Sequence, residues 1–328
     1  MFVTSNELAD TSDQSSVDNR ILRTGKNEFK KNFNVNSFRF EHTLHQNRLF
    51  EIPRIVELAR RMSKSCANGD FEAFDLKHGN IDTKFSALPQ SERLAETVAR
   101  IGETGTWIKL RRTQDYDAEY AQVLDAITSE LENLCDLPLR RDITWVTMTL
   151  FLASPKVATP FHIDHETNFL FQIRGSKDVC LFPAADRELL PDREIERYYS
   201  GNFEAALYRG EMQDRGTVYR LTPGQVLHHP PLAPHWVRNG DNISVSIAIS
   251  YCMKPLEARA RVYQANYILR TMGLKPSPPG LSPWRDSLKR KVIASLEHSD
   301  PKTFSEVVFT PMNRLKSQLN SVRRLLKA

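Results

Sequence analysis

Long apolar runs are missing from this sequence. No stretch approaches the roughly 18 residues that a membrane-crossing helix needs, so no membrane association is expected. Residues 1–19 also lack the apolar core of a secretory signal, and the expected location is cytoplasmic. Cysteine is scarce: Cys66, Cys135, Cys180 and Cys252 are far apart, and none forms a Cys-x-x-Cys pair. That spacing argues against a thioredoxin-like motif and against a structural zinc site. Cys180 and Cys252 fall in apolar, strand-like runs and read as buried small hydrophobes. Neither a Gly-rich phosphate loop nor an internal repeat is present.

What remains is an ordinary globular composition, 40% hydrophobic and 26% charged over 328 residues. The length allows one large domain with extensions, or two small ones. The net charge of +5 is unevenly placed, since residues 281–328 hold ten Lys or Arg against four Asp or Glu. A basic tail can bind nucleic acid or an acidic partner. The plainer reading is a solvated helical face, and no zinc-finger, helix-turn-helix or aromatic-basic pattern supports nucleic acid.

Residues 1–32 are polar, with few large apolar groups, and are expected to be mobile. Residues 33–141 read as a mostly helical part that packs on the domain that follows. Phe38, Phe40 and Leu44 suggest an edge strand or a docking segment, and 107–110 a short strand. Helices are expected over 52–64, 91–101 and 117–135, from apolar positions at helical spacing and from Pro53 in a first turn.

From residue 142 the pattern becomes β-branched and aromatic, and 142–253 is the expected β domain. Strands are expected over 143–152, around His162 and Asp164, and over 168–173, 177–182, 218–221, 225–229 and 243–251. Arg174-Gly175-Ser176 reads as a tight turn within a hairpin. A charged, Tyr-rich excursion, 184–215, interrupts the series and is a place for substrate-specific structure. Six or seven short strands between turns indicate a barrel or sandwich. Residues 254–328 form a basic helical extension, with helices over 255–272, 284–297 and 311–327 and a Pro-rich linker at 276–283. The amphipathic last helix must bury its apolar face on its own domain or across a homodimer.

Thr159-Pro160-Phe161-His162-Ile163-Asp164 carries the strongest chemical signal. Two residues apart on a strand, His162 and Asp164 would project to one face. His235 lies 73 residues after His162, behind a Pro-rich turn. Two imidazoles and one carboxylate make the facial triad of non-haem Fe(II) oxygenases, with open positions beside the protein ligands. His228 and His229 also lie near, and alternation lets only one of them face the interior. Glu166 is the second choice of carboxylate.

The run from Thr159 through Asn168-Phe169, Gln172-Ile173-Arg174-Gly175-Ser176-Lys177 and Leu181-Phe182-Pro183 resembles the core of the JmjC-type cupin hydroxylases. Gly224-Gln225-Val226-Leu227 and the interval from Pro230 to His235 keep the spacing of that family's late segment. In motif it is especially similar to the asparaginyl hydroxylase that inhibits hypoxia-inducible factor. The resemblance covers about residues 143–251. It implies a double-stranded β-helix in a mainly β protein with flanking helices (α+β), binding Fe(II) and the cosubstrate 2-oxoglutarate. His162, Asp164 and His235 would hold the metal. Lys177 would pair with the distal carboxylate of the cosubstrate, Thr159 would donate to the same group, and Asn168 would bond near its metal-bound end. Ser250 stands where the family has an asparagine that touches the cosubstrate. Leu232-Ala233-Pro234 replaces the aromatic residues before the late histidine.

The expected activity is thus 2-oxoglutarate-dependent hydroxylation of a peptide or protein side chain or of a small molecule. The competing reading is a non-catalytic metal-binding cupin with a regulatory or nucleic-acid-associated role. A metal-dependent isomerase on the same barrel would need more protein ligands than the sequence offers.

Overall fold

The computed structural model describes residues 20–65, 70–75, 94–296, 306 and 309–314. Among these residues twelve strands occur, in chain order β1 (Leu22–Arg23), β2 (Phe38–His42), β3 (Phe71–Asp75), β4 (Thr106–Leu110), β5 (Ile143–Ala153), β6 (Ala158–His162), β7 (Thr167–Arg174), β8 (Lys177–Leu181), β9 (Thr217–Leu221), β10 (Gln225–His229), β11 (His235–Asn239) and β12 (Ser244–Met253). They make two antiparallel sheets, one of order β1-β2-β10-β7-β12-β5-β4-β3 and one of order β6-β11-β8-β9. With the helices around them this is a mixed α+β, jelly-roll type of architecture.

Side-chain alternation assigns the two faces of the large sheet. Met148, Leu150, Leu152, Phe169, Phe171, Val245, Ile247 and Ile249 point outward, onto Ile55, Ala59, Tyr120, Ile127 and Leu131 of the helices Ile52–Lys64 and Ala118–Cys135. Each buried Val, Leu, Ile, Phe or Met side chain among them contributes about 1.5–3 kcal/mol. Leu170, Leu227 and Ala248 point the other way, onto Val179, Leu181 and Leu221 of the small sheet. Both faces are therefore covered, and every residue of β12 is buried. The candidate site lies within the second, inner layer.

The two long N-terminal helices fall where apolar spacing puts them, with Pro53 in the first turn of one and Asp117 capping the other by accepting from Glu119 N–H at 3.0 Å. The helix expected over 91–101 is described as Leu94–Ala99. The 33–141 region also supplies strands to the large sheet: β2 and β4 lie where Phe38, Phe40 and residues 107–110 suggest strands, and β3 has no counterpart in the sequence reading. Cys135, Cys180 and Cys252 are buried free thiols, and Cys66 lies outside the described residues.

The expectation of a mobile 1–32 segment does not hold where the segment is described. Residues 1–19 lie outside the described residues, but β1 pairs with β2, and Phe29 of the helix Lys26–Asn32 is fully buried. The reason is tertiary: Phe29 packs among Phe33, Phe38, Phe40 and Phe169. The Glu130 carboxylate accepts from the Ile21 and Leu22 N–H groups at 2.8 and 2.7 Å.

The 184–215 excursion folds into the helix Asp192–Tyr199 and a 3-10 turn, Gly210–Arg215. Its Tyr198 and Tyr199 are buried core rather than an open wall. The helices Lys254–Thr271 and Pro283–Ala294 follow the strands, and residues 309–314 are helical. Most of the helix expected over 311–327 lies outside the described residues. On Pro283–Ala294, Trp284, Leu288 and Val292 recur at one-turn spacing and are more than half exposed. No helix among the described residues is long and apolar enough to cross a membrane.

Candidate metal centre

β6 and β11 are neighbours in the small sheet, and their register sets His162 opposite His235. The ring centroids are 4.1 Å apart. Asp164 Oδ2 lies 3.6 Å from His235 Nε2 and 4.0 Å from His162 Nε2. One ligand atom from each of the three residues lies within 4.8 Å of the other two.

Asp164 does not reach this point in the way its spacing suggests. β6 ends at His162, and Asp164 lies beyond the strand. Its backbone carbonyl accepts from Leu232 N–H at 2.8 Å. Leu232 adopts the left-handed conformation, φ 64°, in the loop before His235, a strained choice for a bulky residue. The two loops carrying the acid and the late histidine are thus tied together through backbone.

The orientation of both rings is fixed from behind. His162 Nδ1 is 2.7 Å from the Pro160 carbonyl oxygen, and His235 Nδ1 is 3.0 Å from that of Ala233. A carbonyl only accepts, so Nδ1 carries the proton and the lone pair sits on Nε2, toward Asp164. Bonds of about 2.0–2.2 Å put neighbouring ligand atoms about 3.0–3.4 Å apart around one ion. The two separations from Asp164, 3.6 and 4.0 Å, exceed that range by about an ångström or less. Two imidazoles and a carboxylate suit a divalent first-row metal, Fe(II) included.

Electrostatics agree with that use. Burial works against ionising Asp164, but His162 and His235, followed by Lys109, outweigh it and hold the carboxyl below its ordinary value. Burial, with His235 next, pushes His162 down to about 4, so the ring is neutral and able to ligate. The Asp164 side chain is 36% exposed and that of His235 is 5%. The open side of the cluster is therefore the acid's.

The other residues singled out in the sequence converge on the same inner layer. Lys177 opens β8 on the face of Val179 and Leu181, and its Nζ donates to Ser246 Oγ of β12 at 2.7 Å. Burial drives its ammonium down to about 7. Among the described residues no carboxylate lies within ion-pair reach of it. Asn168 and Ser250 are directly opposed in the β7–β12 pair, on the face of Leu170 and Ala248. Asn168 Oδ1 is buried without a hydrogen-bond partner among the described residues.

Thr159 stands opposite Val237. Simple alternation would turn Thr159 away from His162, three residues on. A register shift between His235 and Val237 restores it to the inner face. Of the two adjacent histidines, His228 turns outward among Phe33, Phe38 and Phe169, and His229 turns inward, its ring centroid 4.9 Å from that of His235. Glu166, the second-choice acid, is outside the metal-ligand cluster. Burial, with Asp164 next, pushes it up to about 8.

Two neighbours escaped the sequence reading. Ser246 is the hydroxyl on Lys177, and the alternation of Ser244, Ser246 and Ser250 within an apolar strand was its signal. Lys109 of β4 lies over the Trp107 ring at 4.4 Å, and its charge acts on Asp164. A lysine in a short apolar strand marked it.

A model of the cupin-like domain matches residues 4–257 of this chain. The chain belongs to the cupin-like domain family. No curated protein matches this cupin-like chain in sequence. Among solved structures it is similar to that of ycfD from E. coli, at 13% identity and TM-score 0.48, covering 92% of this chain and 68% of that one. A structure of the Escherichia coli ribosomal oxygenase YcfD with cobalt and 2-oxoglutarate matches at 14% identity and TM-score 0.46, over 92% and 67%. The DMSP lyase DddQ from Ruegeria pomeroyi DSS-3 matches at 14% identity and TM-score 0.22, over 33% of this cupin-like chain and 38% of its own.

Proposed function

We propose that this chain is an Fe(II)- and 2-oxoglutarate-dependent oxygenase that hydroxylates a C–H bond of a peptide or protein side chain or of a small molecule. One observation carries the reading beyond metal binding. Lys177 is a buried cation, without a carboxylate partner among the described residues, in the same inner layer as His162, Asp164 and His235. A metal site alone has no use for such a group. A ligand with one end on the metal and an anionic far end does, because burying an unpaired ammonium is costly.

His162 and His235, each fixed through Nδ1, would present Nε2 to the metal, and Asp164 would supply the third ligand atom. Lys177 would neutralise the distal carboxylate of 2-oxoglutarate, with the Thr159 hydroxyl on the same group. Asn168 and Ser250 would bond to the cosubstrate nearer the metal. Leu170, Leu227, Leu181 and Ala248 wall the layer and exclude water. When bound, the metal and cosubstrate supply an oxidant made from dioxygen as 2-oxoglutarate is converted to succinate and carbon dioxide. Substrate would approach from the exposed Asp164 side, which orients its C–H bond toward the open positions. The order of motifs from Thr159 to Pro183 supports a side-chain hydroxylase within this class.

The test is turnover by purified protein reconstituted with Fe(II) under air. Succinate formation from 2-oxoglutarate, abolished in His235→Ala and strongly reduced in Lys177→Met, is the expected result. A protein that binds metal but leaves 2-oxoglutarate intact, with and without candidate peptides, would instead be a non-catalytic cupin.

A further inference from the structure

His229 ends β10 immediately before Pro230 and Pro231, and it shares the inner face with Leu227. It is 4% exposed, and neither ring nitrogen has a hydrogen-bond partner among the described residues. A neutral imidazole offers one donor and one acceptor, and buried polar groups are normally satisfied. The contrast with the preceding residue is direct. His228 uses both nitrogens, Nδ1 on the Asn168 carbonyl and Nε2 accepting from Asn34 N–H at 3.0 Å.

The surroundings of His229 say what kind of group is missing. Its ring meets that of His235 edge-on, at 78°. The β10–β7 register sets it opposite Asn168, whose Oδ1 is also buried and unpartnered. Leu227, with which His229 shares a face, packs on Val179 and Leu181 of the strand that Lys177 opens, so His229 faces the layer that holds both the lysine and His235. An apolar guest would leave these atoms unsatisfied. A polar, oxygen-rich one would not.

We propose that His229 is a binding residue for the cosubstrate, donating a ring N–H to an oxygen of the dicarboxylate that lies between Lys177 and the metal ligands. This rests on the reading of the site as one for 2-oxoglutarate. His229 then positions the cosubstrate and is not a fourth metal ligand, in keeping with its absence from the His162, Asp164, His235 cluster.

The experiment is calorimetric titration of 2-oxoglutarate into Mn(II)-loaded wild type, His229→Leu and His229→Gln, with Mn(II) affinity and ligand-free melting temperature measured for each. His229→Leu should weaken 2-oxoglutarate roughly tenfold or more, the loss of one hydrogen bond to a charged group. Mn(II) affinity should be unchanged, and ligand-free melting equal or higher, because an unsatisfied imidazole has been removed. His229→Gln, which keeps an N–H, should recover part of the affinity, and it serves as the test if the leucine variant does not fold. Unchanged 2-oxoglutarate affinity in both variants overturns the proposal, as does a loss of Mn(II) affinity. Absence of 2-oxoglutarate binding in the wild type would bring down the functional reading itself, and this assignment with it.

Discussion

Lys177 Nζ and Ser246 Oγ meet at 2.7 Å across the space between the two sheets. One comes from the small sheet and the other from the large. The contact joins the two layers with a charged group that a hydroxyl alone satisfies poorly. Lys177→Met should raise the dissociation constant for 2-oxoglutarate by about 30-fold or more, the worth of a charge-assisted bond in a buried site. Metal affinity should not change. Titration of Mn(II)-loaded protein checks both, and an unaltered affinity for 2-oxoglutarate would remove Lys177 from the site.

The same lysine sets a pH dependence. Burial lowers its pKa to about 7, and a carboxylate ligand needs it charged. Affinity for 2-oxoglutarate should therefore be near its maximum below about pH 7 and fall about tenfold per pH unit above it. The sign reverses for the ligand-free protein. There the unfolded chain holds this proton more tightly, so the lysine's contribution to stability rises between about pH 7 and pH 10. Binding isotherms at pH 6.5, 7.5 and 8.5 give the first slope, and a flat profile would contradict it.

Metal should stabilise the fold, because His162, Asp164 and His235 converge only when β6 and β11 pair. At a metal concentration 100 times the dissociation constant the gain is about 2.7 kcal/mol. It should appear as a higher melting temperature, reversed by chelator and absent in His235→Ala. Equal shifts in the variant and the wild type would mean that the metal binds elsewhere.

Acid should weaken the metal-free protein well above the carboxylate range. Burial pushes His42 down to about 4, against its hydrogen bond to the Gln172 carbonyl. His228 is likewise lowered, to about 3, by burial. Unfolded histidines take up protons near pH 6.5 and these do not, so stability present above that pH is lost as the pH falls toward 4. At least about 2 kcal/mol should be lost between pH 7 and pH 5 in urea denaturation. Equal stability at the two pH values would show that these rings take up protons in place.

Gly175 turns β7 into β8 with φ 70°, and a Cβ there would collide with the Ile243 carbonyl oxygen. Both the backbone region and the close approach exclude a side chain. Gly175→Ala should cost about 2 kcal/mol or more. Because this hairpin places Lys177, it should also weaken 2-oxoglutarate more than metal. A melting temperature within a degree of wild type would contradict the account of this turn.

Much of this was legible in the sequence, and the rest was hidden for identifiable reasons. β10 starts and ends where it was expected, and β5, β7, β8 and β9 lie within a residue or two, since alternation and turn residues are local signals. His162 and His235 belong to that class. Asp164 was given a strand position it does not hold, because its place depends on a backbone bond to Leu232, 68 residues away. Thr159 shares a face with His162 only through a register shift that no three-residue spacing announces. The ordering of residues 20–32 rests on Phe29 meeting Phe169 and on Glu130, partners that composition does not reveal. His228 and His229 were equivalent until β7 and β2 fixed which side of β10 faces inward.

The most direct measurement follows the oxygen. Fe(II)-loaded protein supplied with 2-oxoglutarate under isotopically labelled dioxygen should release succinate carrying one labelled oxygen atom for each carbon dioxide formed, and His235→Ala should release none. Unlabelled succinate, or 2-oxoglutarate recovered intact from protein shown to hold its metal, would contradict the account.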